Sequence, residues 1–186
     1  MLVFVLLASL VGAAGCDVFS PRTPEPPLEG AGTYEQPDTP EQVIANLQAA
    51  IAELNTLNYR RSLAEDLTFT PTATAEARDP VWTNWGLAEE ERYFSTLAAA
   101  ARTGTGHRLD LNDRTLTLID DDRQVLDATY LLIVNHTRAD VPTTVQGRLQ
   151  WVLARGTDGL WRLHEWTDRE LGGNPSWSDL KAAFVQ

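Results

Sequence analysis

The nine residues LWRLHEWTD, from Leu160 to Asp168, set a histidine and two carboxylates between tryptophans. A His and an Asp held among indoles can have shifted proton affinities, which suits general acid-base work on a bound substrate. His164 and Asp168 are therefore the candidate catalytic pair. A four-residue hairpin loop at Gly156-Thr157-Asp158-Gly159 sets Leu153 opposite Arg162, Trp151 opposite His164, Leu149 opposite Trp166 and Gly147 opposite Asp168. In that register these side chains share one face, where Trp151 and Trp166 would wall a pocket and Gly147 would leave room beside Asp168. Trp161, Leu163 and Glu165 fall on the other face, and a bulge would exchange the two. Parity alone does not say which face is concave. The purely structural account carries more weight: the tryptophans are core, His164 is a satisfied cross-strand neighbour and Asp168 caps a strand end.

Two tyrosines, Tyr59 and Tyr130, join Trp151 and Trp166 as pocket candidates, although a buried tyrosine finding one hydrogen bond is ordinary. His107, His136 and His164 lack metal-ligand spacing, and no cofactor or metal is expected. Asp120-Asp121-Asp122 lacks the alternating ligands and glycine of a calcium loop. No glycine-rich phosphate loop and no Gly-x-Ser-x-Gly elbow is present. Asn135-His136-Thr137 has the form of a glycosylation sequon, on which no mechanism is built. Acidic residues number 26 against 15 cationic ones, a formal charge of −11 that argues against nucleic acid as a partner. Lys181 is the only lysine; on sequence alone that bias reads as genomic and carries no mechanism.

The elements that must position these residues follow from local signals. Thr39-Pro40-Glu41-Gln42 is a capping box with proline at the first helical position, followed by Val43, Ile44, Leu47, Ile51 and Leu54 at helical spacing. A short helix is expected over Tyr59 to Asp66, a strand over Leu67 to Thr70 ended by Pro71, then a polar loop and a third helix over Leu87 to Ala101. Strands are expected over His107 to Leu111, Thr115 to Ile119, Val125 to His136, Thr143 to Arg155 and Leu160 to Thr167. Gly172-Gly173-Asn174-Pro175 breaks the chain before a capped final helix at Ser176, docked by Trp177, Leu180 and Phe184. Helices first and an antiparallel sheet afterwards read as α+β, with the helices covering one face of the sheet.

The N-terminal part has a different logic. Leu2 to Ala14 is a thirteen-residue apolar run, too short to span a bilayer, which needs about 20 such residues. Ala13-Ala14-Gly15-Cys16 follows, and Cys16 is the only cysteine. This stretch resembles the lipobox of bacterial lipoproteins, although no Lys or Arg precedes the apolar run. The resemblance implies removal of residues 1–15 as a signal peptide, lipidation of Cys16, and a membrane anchor facing the periplasm or the cell exterior. Residues 16–38 carry five of the ten prolines and read as a disordered tether. Residues 39–186 are then one domain with one core.

In that domain the order helix, short helix, Tyr59, strand, helix and long antiparallel strands ending in DGLWRLHEW resembles the nuclear transport factor 2-like superfamily, which includes SnoaL-like proteins and ketosteroid isomerase. The resemblance implies a cone-shaped roll: a curved antiparallel sheet covered on one face by about three N-terminal helices, with a short C-terminal helix. It also implies an apolar cavity and a homodimer through the outer sheet face. No position matches the tyrosine and paired aspartates of ketosteroid isomerase, so no catalytic residue is carried over. Three functions follow as expectations: a lipid-anchored domain binding a small apolar ligand or an envelope protein, a SnoaL-like isomerase, dehydratase or hydrolase, and a structural envelope lipoprotein without ligand.

Overall fold

The computed structural model describes residues 32–104 and 106–186. Cys16 and the segment around it lie outside the described residues. The order of elements is α1 (Pro40–Glu53), α2 (Thr56–Arg61), β1 (Leu63–Thr70), α3 (Ala73–Arg78), a 3-10 turn (Pro80–Trp82), α4 (Leu87–Ala100), β2 (Arg108–Asp120), β3 (Arg123–Ile133), β4 (Thr144–Arg155), β5 (Trp161–Glu170) and α5 (Trp177–Val185). The fold is α+β, as expected. Among the described residues one five-stranded sheet runs β1-β5-β4-β3-β2, curved and unclosed. Strands β2 to β5 are antiparallel, while β1 joins β5 in parallel, so the sheet is mixed.

The local signals produce the helix starts they promise. Thr39 Oγ1 accepts from the Gln42 N–H, and Gln42 Oε1 accepts from the Thr39 N–H, closing the box at the start of α1. Val43, Ile44, Leu47 and Ile51 are buried in the common core. Several boundaries differ from expectation. The second helix spans 56–61 and the strand after it starts at Leu63, because Asn55 caps α2 four residues before Tyr59. The two short strands expected around Asn112 are one strand, β2, which passes a register shift with Asp113 at φ 49° rather than turning. The expected polar loop contains α3 and the 3-10 turn: Thr72 caps the helix and the Trp82 indole N–H donates to the Ala75 carbonyl. Elements this short show no periodicity.

The domain also begins before residue 39. Thr33 N–H donates to the Glu53 carboxylate at 2.8 Å, and Glu35 and Asn46 exchange two hydrogen bonds. The Trp161 N–H donates to the Pro37 carbonyl at 2.8 Å. Residues 33–38, assigned from composition to the tether, are therefore fastened along α1 and β5. Proline content suppresses secondary structure but leaves carbonyls free for such bonds.

Gly147 is the sheet position where a side chain would do the most damage. It pairs with Tyr130, and a Cβ there would stand 2.6 Å from both the Arg169 carbonyl oxygen and the Tyr130 hydroxyl. The room it leaves is taken by the Tyr130 phenol. Gly147→Ala should destabilise the domain by about 1–3 kcal/mol through overpacking, read as a lower urea midpoint at unchanged m.

Candidate functional site

Strand β5 carries the sequence candidates, and a bulge decides their fate. Trp166 pairs with Trp151 and Glu165 with Val152, but Leu153 pairs with Leu163, so His164 is the extra residue. Facing therefore switches at this point. Trp161, Leu163, Trp166 and Asp168 are buried, while Glu165 is exposed and His164 is partly exposed. The expected register, with Trp151 opposite His164 and Gly147 opposite Asp168, is corrected: Trp151 faces Trp166 and Asp168 lies opposite Leu149. His164 and Asp168 do not share a face. His164 Nδ1 lies 2.8 Å from Asp66 Oδ1, beside a solvent-facing hollow that Arg123, Arg155 and Glu165 also line.

Asp168 points inward and is 2% exposed. Its Oδ1 accepts from the Tyr130 hydroxyl at 2.8 Å. Its Oδ2 accepts from the Ser178 N–H at 2.8 Å and the Ser178 hydroxyl at 2.6 Å. Tyr130 in turn accepts from the Trp177 N–H at 2.7 Å, and the Ser178 hydroxyl accepts from the Thr72 N–H at 3.0 Å. Trp177 and Ser178 open α5, so Asp168 and Tyr130 take up two amides that a helix start leaves unpaired. Burial pushes the Asp168 carboxyl above the ordinary aspartate range, while the bonds from Ser178 and Tyr130 oppose the rise. Burial, followed by the nearby Asp168 charge, likewise raises the Tyr130 hydroxyl.

A second charged centre lies deeper, and sequence reasoning missed it. Glu90 of α4 and Lys181 of α5 are each fully buried, with Nζ 2.7 Å from Oε2. Glu90 Oε2 also accepts from the Trp85 indole N–H at 2.8 Å, and its Oε1 accepts from the Tyr59 hydroxyl at 2.7 Å. The Lys181 ammonium sits 3.5 Å from the ring centroids of both Phe69 and Trp166, with Tyr93 and Trp85 at 5.7 and 5.8 Å. A carboxylate surrounded by aromatic faces is an ammonium-binding arrangement. Burial pulls the Lys181 amine down to about 8, with Glu90 resisting. The available signal was that one lysine stands among fourteen arginines. A guanidinium stays charged in any protein environment, whereas an ammonium is compact and can release its proton.

The four pocket candidates are all walls of this filled interior. Tyr59 stacks on Phe94 at 3.8 Å and bonds Glu90. Trp151 meets Trp166 edge to face at 5.5 Å, and Trp166 meets Trp177 edge to face at 4.5 Å. Tyr59, Tyr130, Trp151 and Trp166 are each no more than 2% exposed. Trp177 of α5 packs on Tyr130 and Trp166, and the Lys181 ammonium faces Trp166 as well.

No protein-family model matches the chain, and no curated protein sequence does. Solved structures do match. An NTF2-like protein of unknown function in nutrient uptake from Rhodospirillum rubrum is 16% identical, with TM-score 0.54 over 69% of this chain and 95% of its own. Two Novosphingobium aromaticivorans proteins both reach TM-score 0.56. One, whose name proposes an aromatic ring hydroxylase, is 15% identical over 76% of this chain and 92% of its own. The other, whose name proposes a scytalone dehydratase, is 11% identical over 74% and 89%. These likenesses establish the NTF2-like fold.

Two outcomes follow from the buried charges. Asp168→Ala should cost about 2–4 kcal/mol, because Ser178 and Tyr130 lose their acceptor inside the core; chemical denaturation measures it. Lys181 has its folded pKa below its unfolded value near 10.4, so between about 8 and 10.4 the unfolded chain holds the extra proton. Its burial therefore penalises the fold fully below pH 8, and the penalty fades as pH rises. Against a Glu90→Gln/Lys181→Met double variant, the wild type should gain up to about 3 kcal/mol in relative stability across that window.

Proposed function

We propose that this protein is a binding module of the bacterial envelope, held at a membrane by a lipid on Cys16, whose roll recognises a small ligand or a group on a partner rather than turning over a substrate. The observation that sets binding above turnover is that α5 occupies the interior and commits Asp168 to it. A general acid or base must reach the proton it transfers. Here Tyr130 and Ser178 occupy both oxygens of Asp168, and His164 lies on the other side of the sheet. The Cys16 lipid and the envelope setting rest on the lipobox resemblance, and the acidic surface favours protein or small-molecule partners over nucleic acid. A second copy docked on the outer sheet face is one such partner.

A SnoaL-like acid-base activity is the second reading, favoured by the raised proton affinity of Asp168 and the enzyme names proposed for two structural neighbours. It requires α5 to move before any substrate can enter. Expression in a bacterial host with labelled palmitate should mark the wild type and leave Cys16→Ser unmarked and released from membranes. Native mass spectrometry of the membrane-extracted protein should then find a bound small molecule or partner. Unlabelled wild type would overturn the anchor, and a bare protein from every extract would leave the structural lipoprotein as the better account.

A further inference from the structure

The interior of the roll is furnished for a cation, and the chain supplies that cation itself. A core element needing only to pack would place Leu or Met at position 181, since replacing a buried ion pair by apolar groups is often neutral or stabilising. Instead one oxygen of a fully buried carboxylate faces Nζ at 2.7 Å, and two aromatic centroids stand at 3.5 Å from it. The carboxylate is itself pinned by Trp85 and Tyr59, neither of which belongs to α5. The walls are likewise independent of the helix: Phe69 lies on β1, Trp166 on β5 and Tyr93 on α4. Lifting α5 would therefore leave the carboxylate and these aromatic walls on other elements, while taking away the ammonium together with Trp177, Leu180 and Phe184.

Helix α5 is joined to β5 through an exposed segment, residues 171–175, in which Gly172 stands at φ 65°. It projects Trp177 and Lys181 on one face, four residues apart, the indole N–H donating to the Tyr93 hydroxyl at 3.0 Å. We infer that the space α5 fills beside Glu90, Phe69, Trp166 and Tyr93 is a binding site for alkylammonium or arylalkylammonium compounds, and that Trp177 and Lys181 are a built-in ligand that occupies it. The inference rests on reading the protein as an interior-binding module and names the ligand class. Occupancy requires α5 to lift, because burial of Trp177, Leu180 and Phe184 also holds the helix down. A ligand bearing an aromatic or apolar stem beside its ammonium replaces both sets of contacts.

The test uses the full-length chain with Lys181→Ala, which removes the atoms of propylammonium. n-Propylammonium chloride should raise the Tm of this variant saturably, by about 3–6 °C at roughly ten times its Kd, while n-propanol at the same concentration should not. If the variant does not fold alone, refolding in the two additives gives the same comparison. Equal effects of amine and alcohol, or none from either, would overturn the ammonium site. In the wild type, amides of α5 should exchange with solvent through an opening smaller than global unfolding, and millimolar tryptamine should speed that exchange without changing β3 and β4. Exchange of α5 only with the whole domain, or with no response to tryptamine, would overturn the built-in-ligand role. Rescue depends on the cage alone, so it can succeed where palmitate labelling or a search for natural partners fails, and the two readings fall separately.

Discussion

An ionised carboxylate cannot stand alone in a low-dielectric interior, and Glu90 lies there without exposure to water. Its need for a cation ties α4 to α5 across 91 residues of sequence. Once Lys181 meets Glu90, α5 must cross the open side of the curved sheet. That position brings the helix start onto Asp168 and Tyr130, and the Trp177 ring onto Trp166. The two buried carboxylates thus hold one helix from two places, Asp168 at its first turn and Glu90 one turn further on.

This arrangement explains why groups with catalytic character do structural work in the closed roll. Tyr130, Asp168 and Ser178 form a hydrogen-bonded chain, a combination that in an open cavity would suit proton transfer. Here every member takes up a group that folding would otherwise strand, down to the Thr72 N–H. Satisfied buried networks make a core specific, and the same low dielectric makes their partial loss expensive. Gly147 belongs to the network without a side chain, since the phenol of Tyr130 uses its vacant side.

The NTF2-like fold does not choose among binding, catalysis and assembly, because function lives in the site grafted on it. In this chain α5 fills the roll, with Trp177 against Trp166 and Lys181 against Glu90. Neighbours at 11–16% identity share the frame. The carboxylate, the aromatic faces and the lysine that meet beneath α5 are a matter of side-chain packing, which fold likeness at that identity does not carry.

Much of the frame was legible before any coordinates. The capping box at Thr39, the stripe from Val43 to Ile51, the Asp-Gly turn before Trp161 and the Ser176 cap depend on residues a few positions apart, so short-range chemistry determines them. The α+β order follows from the same signals. The candidate site was only half legible: Asp168, Trp151, Trp166, Tyr59 and Tyr130 do meet in one interior, but His164 does not. One inserted residue in β5 reverses facing, and strand parity carries no memory of a bulge. Lys181 and Glu90 were invisible as a pair because nothing local at either position signals the other. Only the closure of α5 over the sheet brought them within 2.7 Å, where burial turned a lysine that reads as genomic bias into the partner of a buried carboxylate.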